Sequence, residues 1–348
     1  MMDLSYLNAR IRAWKGELLT KEAYDGLIAS DGIQSFISHL KATTYARDIE
    51  IASARYKNER EVIEAGLKGN LAKAFKGLWG CSSDEMRVLL RAIFSIWEVY
   101  NLKAILRARV NGVSPDESAS VLIPAGEMNE SALKELNQQR DVFEVIKLLS
   151  TWGSPYARPM QHVMGQYMRE RHLIILELAL DRFAANHAIY DTAGSDINKK
   201  IIEQFIAQRV DSINISTLLK LAGEDIAIAD AGGYFLAGGD IIDKDDFLRL
   251  TKSRNKTELM KELYDFLKDS YWKKLVGSAE PENAFFLEER LEELLRQKVC
   301  RLTVVEPLSI ALAICFVYKK IREVKNLRLI ARAKIFDIPA IEVRRFII

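Results

Sequence analysis

The sequence predicts an all-α protein built from three related helical domains. Apolar residues recur at three- and four-residue spacing over long stretches, which is the signature of amphipathic helices. Only 7 of the 348 residues are proline, the residue that interrupts helices most strongly. One short pattern also returns three times along the chain at a nearly constant distance. A repeat that covers most of a chain indicates that the domain is triplicated.

The periodicity predicts six long helices that come in three pairs. Their ranges are about 50–79 and 84–110, 162–190 and 196–222, and 282–300 and 307–334. Shorter helices are predicted near 20–29, 31–41, 129–138, 141–150 and 243–251. Ser82, three residues before Glu85, predicts a helix start, and Gly112 and Gly223 predict helix ends. Short connections within each pair make the two long helices antiparallel neighbours.

The repeated pattern lies on the second long helix of each pair. It has an asparagine, an aliphatic residue one place later and a cation six places later. The copies are Asn101–Arg107, Asn214–Lys220 and Asn326–Arg332, which lie 113 and then 112 residues apart. Ala125-Gly126 and Ala237-Gly238 are a further match, 112 residues apart. Because this period exceeds that of solenoid repeats, each copy is predicted to be a small helical domain.

The repeat places the domain boundaries. We predict three helical domains over residues 1–113, 114–225 and 226–348. Three similar units that pack head to tail form a closed pseudo-threefold ring or funnel if the rotation between them closes, and an open superhelix if it does not. Both arrangements are compatible with the sequence.

The recurring polar residues are the candidate sites. In a structural interpretation, Asn101, Asn214 and Asn326 bond backbone groups where two helices approach, and each cation pairs with a carboxylate inside its own domain. In a functional interpretation, Arg107, Lys220 and Arg332 recur on one rim and together bind an acidic partner.

Composition excludes several classes of protein. The 50 Lys and Arg residues balance 48 Asp and Glu residues, so the strong basic surplus of a nucleic-acid-binding protein is missing. The longest apolar run, residues 308–318, is shorter than the roughly 20 residues of a membrane-spanning helix, so no direct membrane span is expected. Three cysteines cannot form a disulfide framework, and Cys300 and Cys315 are expected to be small buried hydrophobes in a reducing cytoplasm.

No motif predicts a catalytic, cofactor-binding or metal-binding site. The four histidines lack the spacing of metal ligands. Asp243 and Asp245 resemble the start of a calcium loop, but Leu248 and Arg254 stand where glycine and glutamate are required. We therefore expect a non-catalytic protein without a cofactor.

Several segments resemble those of a known family. They are Tyr6–Arg12, Trp97–Arg109, Leu122–Gly126, Glu306–Leu308 and Arg322–Lys334. Together with the triplication and the length, they resemble the C subunits of archaeal and bacterial A/V-type ATP synthases, a family that includes the d subunit of the eukaryotic vacuolar ATPase.

The resemblance implies a funnel-shaped protein of three pseudo-threefold helical domains, without catalytic residues. It implies a rotor adaptor, bound peripherally at the cytoplasmic face of the membrane. Its partners would be the proteolipid ring of the membrane sector and the D and F subunits of the central stalk, and it would couple ATP synthesis or hydrolysis to proton or sodium ion transport.

The second repeat departs from the family pattern. It has Val210-Asp211 where the other repeats have Glu98-Val99 and Glu323-Val324, and Ser216 where they have Lys103 and Arg328. Equivalent contacts by all three domains are therefore not assumed. The alternative function is a free-standing helical scaffold for cytoplasmic partners, and an enzyme built on the helical domains is a third hypothesis.

Overall fold

A computed structural model describes residues 4–192, 194–222, 231–267, 273 and 284–347, and only the backbone of residues 284–289. The structure is 77% helical, and its described residues form no strand, so the all-α prediction is confirmed. None of the helices in these ranges is both long and apolar enough to cross a membrane.

The first third of the chain contains four short helices followed by two long ones. They are α1 (Ser5–Gly16), α2 (Lys21–Ala29), α3 (Gly32–Leu40), α4 (Ala46–Arg55), α5 (Glu59–Gly80) and α6 (Asp84–Val110). The predicted helix 50–79 is two helices, because the Asn58 side chain accepts bonds from the Arg60 and Glu61 amides and starts α5. Ser83, not Ser82, caps α6.

The middle third repeats this order. Its helices are α7 (Pro115–Ala119), α8 (Glu130–Asn137), α9 (Val142–Thr151), α10 (Ala157–Glu170), α11 (Ile174–Thr192) and α12 (Ile197–Leu221). The predicted helix 162–190 is divided at Arg171, whose left-handed backbone (φ 59°) ends α10. Gly112, at φ 66°, ends α6 as predicted, whereas Gly223 lies outside the described residues.

The last third follows a short 3-10 turn at Gly232–Tyr234. Its helices are α13 (Lys244–Leu250), α14 (Lys256–Phe266), α15 (Ala284–Val305), α16 (Ala311–Ile335) and α17 (Ala340–Phe346). Cys300 of α15 and Cys315 of α16 form a disulfide. The expectation of separate buried thiols is therefore wrong, although the Cys315 side chain is buried as expected.

The second long helix of each third packs against the first long helix of the next. Helix α6 packs on α11, α12 packs on α15, and α16 packs on α5. The last of these contacts joins the end of the chain to its beginning. An open superhelix would leave α16 without that partner.

Three hydrophobic cores in the described residues result from this packing of one third of the chain on the next. One joins the carboxyl half of α6 to α8–α11, and another joins the carboxyl half of α12 to α13–α15. The third and largest contains α16 with α1–α5, and it includes residues of α6, α11 and α12. There the ring of Tyr318 meets the rings of Trp97 and Phe205 at centroid distances of 5.1 and 5.8 Å. The first two cores thus combine the end of a second long helix with the helices that follow it in the chain, whereas the third combines α16 with helices at the beginning of the chain.

Helix α17, at the end of the chain, also packs on helices of the first third. It packs on α16 and α2, as α7 packs on α6 and α8. The guanidinium of Arg344 forms an ion pair with Asp25 of α2. The packed cores are therefore out of phase with the sequence repeats, and the predicted boundaries at 113/114 and 225/226 stay a prediction.

Candidate functional site

Three polar latches recur on the second long helices. Each latch consists of a carboxylate and an asparagine three residues later: Glu98 and Asn101, Asp211 and Asn214, Glu323 and Asn326. This spacing places both side chains on one face of the helix. All six residues are buried. A buried polar group requires a partner, and the latches find theirs mostly in the backbone of the segment that crosses the helix.

The asparagines of the first two latches bond the crossing backbone in the same way. Asn101 accepts a bond from the Ile123 amide at 2.8 Å and donates one to the Ile123 carbonyl at 2.6 Å. Asn214 makes the same two bonds with Leu236, at 3.0 and 2.9 Å. Both bonds join residues 22 apart. The asparagines thus bond backbone groups, but these groups lie in non-helical segments and not where two helices approach.

The latch carboxylates accept hydrogen bonds from backbone amides a few residues further along the same segments. Glu98 Oε1 accepts from the Glu127 amide at 2.6 Å, and Asp211 Oδ2 accepts from the Asp240 amide at 2.9 Å, each across 29 residues. Asp211 also accepts from the amides of Ile241 and Ile242. Asp211 is thus the equivalent of Glu98, and its interpretation as a departure of the second repeat is wrong.

A glycine lies directly against each of these two carboxylates. A Cβ atom would lie 2.1 Å from Glu98 Oε1 at Gly126 and 2.2 Å from Asp211 Oδ1 at Gly239, distances that real side chains do not reach. Gly126 also has a left-handed backbone at φ 58°. The structural equivalent of Gly126 is therefore Gly239, one residue later than the Gly238 matched by sequence.

The third latch is completed by the beginning of the chain. Glu323 Oε2 accepts from the Leu19 amide at 2.6 Å, and Oε1 accepts from the Tyr45 hydroxyl at 2.7 Å. Tyr156 makes the equivalent bond to Glu98, also at 2.7 Å. Lys320 Nζ donates to Glu323 at 2.6 Å and lies 4.5 Å from the centroid of the Tyr45 ring. The amino-terminal segment thus donates a backbone N–H to the latch carboxylate of α16, as the crossing segments do to those of α6 and α12.

Burial sets the protonation behaviour of the latches. It raises the pKa of Glu98 above its usual value, although bonds from Tyr156 and the Glu127 amide oppose the shift. Burial likewise raises the pKa of Asp211 against three backbone bonds. The pKa values of Tyr45 and Tyr156 lie well above the usual range, first because of burial and then because of the neighbouring glutamate. Both phenols therefore stay protonated and donate to the carboxylates.

Ion pairs join the long helices across two interfaces, which we call seams: the contact of α6 with α11 and the contact of α16 with α5. Across α6 and α11, Lys103 Nζ lies 2.5 Å from Asp181 Oδ2. Across α16 and α5, Arg328 Nε lies 3.0 Å from Glu64 Oε2. Lys103 and Arg328 both stand two residues after the latch asparagine, where the second repeat has Ser216. The departure at Ser216 therefore removes one seam cation.

The three cations predicted as partner-binding are exposed, but their surroundings differ. Arg107 binds Glu177 with two bonds, of 2.6 and 2.7 Å. Burial raises the pKa of Glu177, but the bond from Arg107 and the charges of Lys103, Arg107 and Lys220 outweigh it and lower the pKa overall. Arg332 donates to Ser120 Oγ at 3.2 Å. The structure thus brings Arg107 and Lys220 toward one carboxylate of α11 and places Arg332 against a different segment.

The sequence interpretation missed the latch carboxylates. Their signal was present, because an acid stands three residues before each repeated asparagine. The partner of Arg107 was also misplaced: Glu177 belongs to the second predicted repeat, not to the same repeat as Arg107.

Exposed apolar side chains form two further candidate surfaces. The apolar turn, Val304, Val305 and Leu308, joins α15 to α16, and its side chains are 81%, 73% and 59% exposed. The carboxyl-terminal apolar surface contains Phe336, Ile341 and Phe346, and all three are largely exposed. Clusters of exposed apolar residues mark surfaces that bind partners.

A metal centre finds no support in the described part of the chain, where no three His, Cys, Asp or Glu side chains are grouped as ligands. Asp243, the candidate start of a calcium loop, caps α13 by accepting a bond from the Asp246 amide at 2.8 Å.

Comparison with known proteins identifies the family. The family model of the ATP synthase (C/AC39) subunit matches residues 7–346. The A-type ATP synthase C subunit of Methanocaldococcus jannaschii is 24% identical over 349 residues, covering 99% of this chain and 86% of the relative. The A-type ATP synthase C subunit of Halorubrum lacusprofundi is 26% identical over 345 residues, covering 97% and 95%. On the match over nearly its whole length, the chain belongs to the ATP synthase (C/AC39) subunit family.

Proposed function

We propose that this protein is the non-catalytic rotor adaptor, the C subunit, of an A/V-type ATP synthase. It links the D and F subunits of the central stalk to the proteolipid ring, and it couples ATP synthesis or hydrolysis to proton or sodium ion transport. It is bound peripherally at the cytoplasmic face of the membrane. Its three domains form a pseudo-threefold funnel.

The observation that carries the proposal is the closure of the chain at the third latch. A rotor adaptor transmits torque, so its domains have to resist sliding past one another. The bond from Leu19 to Glu323 ties residues that are 304 apart in sequence. Shear between the first and last thirds would expose a buried carboxylate, a lysine and a tyrosine hydroxyl that now satisfy one another, which is costly.

The two apolar surfaces support an adaptor with two partners. The apolar turn precedes α16, and Phe336 follows it. Helix α16 has 25 residues, which corresponds to a length of about 37 Å. Surfaces this far apart on one rigid helix suit contacts to two different bodies, the ring on one side and the stalk on the other.

Arg107, Lys220 and Arg332 are the proposed partner-binding cations. They stand at the carboxyl ends of α6, α12 and α16, where the side chains are exposed. Cations at helix carboxyl ends are favourably placed against the helix dipole. Arg107 also shares its charge with Glu177 through two hydrogen bonds. An acidic surface of a partner protein is the expected ligand.

The test is co-purification of the tagged chain from detergent-solubilised membranes of its native host. The expected result is recovery of the proteolipid ring and of the central-stalk proteins with the tagged chain. The double variant Val304→Glu/Val305→Glu should lose one of the two partners, whereas the control Phe143→Glu, at an exposed position of α9, should keep both. A tagged chain that stays in the cytosolic fraction and never sediments with membranes would support the free-standing scaffold instead.

A further inference from the structure

The disulfide between Cys300 and Cys315 closes the chain around the apolar turn. Its two Cα atoms are 5.1 Å apart, and the residues are separated by 15 positions. The segment between them contains the end of α15, all three exposed side chains of the apolar turn and the start of α16. The bond therefore joins the two helices at the base of the turn.

The two sulfur atoms differ in exposure. The Cys315 side chain is 1% exposed, in a run of buried residues from Ile310 to Val317. Cys300 is only partly buried at the edge of the same core. A thiol that approaches from solvent therefore reaches the sulfur of Cys300 and not that of Cys315.

Among the other contacts of the turn, two join the segment after Val305 to other helices. Arg12 donates to the Pro307 carbonyl at 2.6 Å. Asn198 of α12 accepts from the Ile310 amide at 2.9 Å. Without the disulfide, the end of α15 would lose its covalent link to α16 and would be held by non-covalent contacts, among them the packing of Leu302 on the core and the bond from Arg12 to Pro307.

We propose that Cys300 and Cys315 form a reversible redox clamp on the apolar turn. In the oxidised form the disulfide holds the end of α15 against α16, and the apolar turn is rigid. A dithiol reductant releases it: one thiolate attacks the sulfur of Cys300, the bond between the two cysteines breaks, and Cys315 leaves as a thiolate that takes up a proton. The second thiol of the reductant then displaces Cys300, so that two electrons reduce the protein and the reductant becomes a disulfide.

The first measurement counts free thiols in the full-length chain. After equilibration with oxidised glutathione, denaturation and alkylation without reductant, one labelled cysteine is expected, Cys81, which is free in the structure. After treatment with dithiothreitol, three are expected. Three labelled cysteines in the oxidised sample would overturn the proposal.

The second measurement is hydrogen exchange of the backbone amides at residues 302–309. Reduction should accelerate exchange there about tenfold or more, because the turn opens locally, whereas the α5–α6 connection at residues 81–83 should be unchanged. The Cys300→Ser variant should exchange like the reduced protein under both conditions, and Cys315→Ala provides the same test if Cys300→Ser does not fold. The matched control Cys81→Ser should keep the full redox response. Exchange at 302–309 that is equal in the two redox states would refute the clamp.

The third measurement tests the direction of attack. In the reduced, folded protein a small alkylating reagent should modify Cys300 at least about tenfold faster than Cys315, because the latter sulfur is buried. Equal rates would contradict the proposed order of thiol exchange. All three measurements use the isolated chain, so their outcome is independent of the proposed rotor function.

Discussion

Leu19 donates its backbone N–H to Glu323 at 2.6 Å, although the two residues belong to opposite ends of the sequence. The same bond recurs from Glu127 to Glu98 and from Asp240 to Asp211 within the chain. The third copy is therefore completed by a segment that precedes the first copy. The second long helix of each unit thus bonds a segment of the next unit, and that of the last unit bonds a segment of the first.

The Glu323→Gln variant should be strongly destabilised. Glutamine keeps the size of the side chain but leaves Lys320, which is 6% exposed, without its carboxylate. Loss of one partner of a buried pair costs roughly 3–5 kcal/mol. Urea denaturation of the purified chain measures the effect. The exposed control Glu50→Gln should change stability by less than about 0.5 kcal/mol. A second substitution, Lys320→Met, should recover part of the loss, and a variant as stable as the parent would contradict the role of the pair.

The glycines opposite the latch carboxylates should not tolerate a methyl group. Gly239→Ala would place Cβ 2.2 Å from Asp211 Oδ1, so the carboxylate would have to leave its three backbone amides. We expect a loss of roughly 1–3 kcal/mol. Gly80→Ala is the matched control, because nothing lies within 4 Å of its added Cβ. Equal thermal stability of the two variants would show that the crossing segment is not held as described.

Stability should fall as pH rises through the titration of Glu98. Burial raises its pKa above the usual 4.5, so the folded state binds this proton more tightly than the unfolded state does. The contribution is therefore complete below the usual pKa and is lost as pH rises through the raised value. Glu98→Gln, which stays neutral, should gain stability relative to the parent as pH rises from below 4.5 through the raised pKa of Glu98. Denaturation midpoints across this range are the measurement, and an advantage of the parent that grows with pH would reverse the sign and contradict the assignment.

A double-mutant cycle should detect the seam between α16 and α5. Arg328 and Glu64 are 9% and 19% exposed, so their ion pair is only weakly screened. Arg328→Met and Glu64→Gln should therefore show a coupling energy of about 1–3 kcal/mol. The pair Arg140 and Glu144, whose side chains are 78% and 23% exposed, serves as the more solvated control, with an expected coupling below about 0.5 kcal/mol. A seam coupling no larger than that of the control would mean that shape, and not charge, holds α16 on α5.

Periodicity was sufficient to predict four of the six long helices, α6, α12, α15 and α16, because apolar spacing is a local property of the sequence. The break at Arg171 escaped it, since a left-handed arginine leaves no mark on the apolar pattern. The latch carboxylates were overlooked because their partners are backbone amides, which every residue except proline possesses. The contact between Leu19 and Glu323 depends on how the last unit closes on the first, and no local pattern encodes that closure. The disulfide could not be predicted from the pattern, because it depends on which residues of α15 lie opposite Cys315 of α16.

Charge reversal at the exposed cations should separate folding from assembly. Lys220→Glu combined with Arg332→Glu alters two exposed residues at the carboxyl ends of α12 and α16. If these cations bind an acidic partner, the variant should fold normally by circular dichroism and lose the central-stalk proteins in co-purification by about tenfold or more. The control Lys147→Glu/Arg140→Glu changes the same amount of charge at exposed positions near α9 and should retain them. Loss of folding in the first variant alone would assign the cations to the interior contacts of the domains, and normal assembly would remove them from the proposed stalk-binding surface.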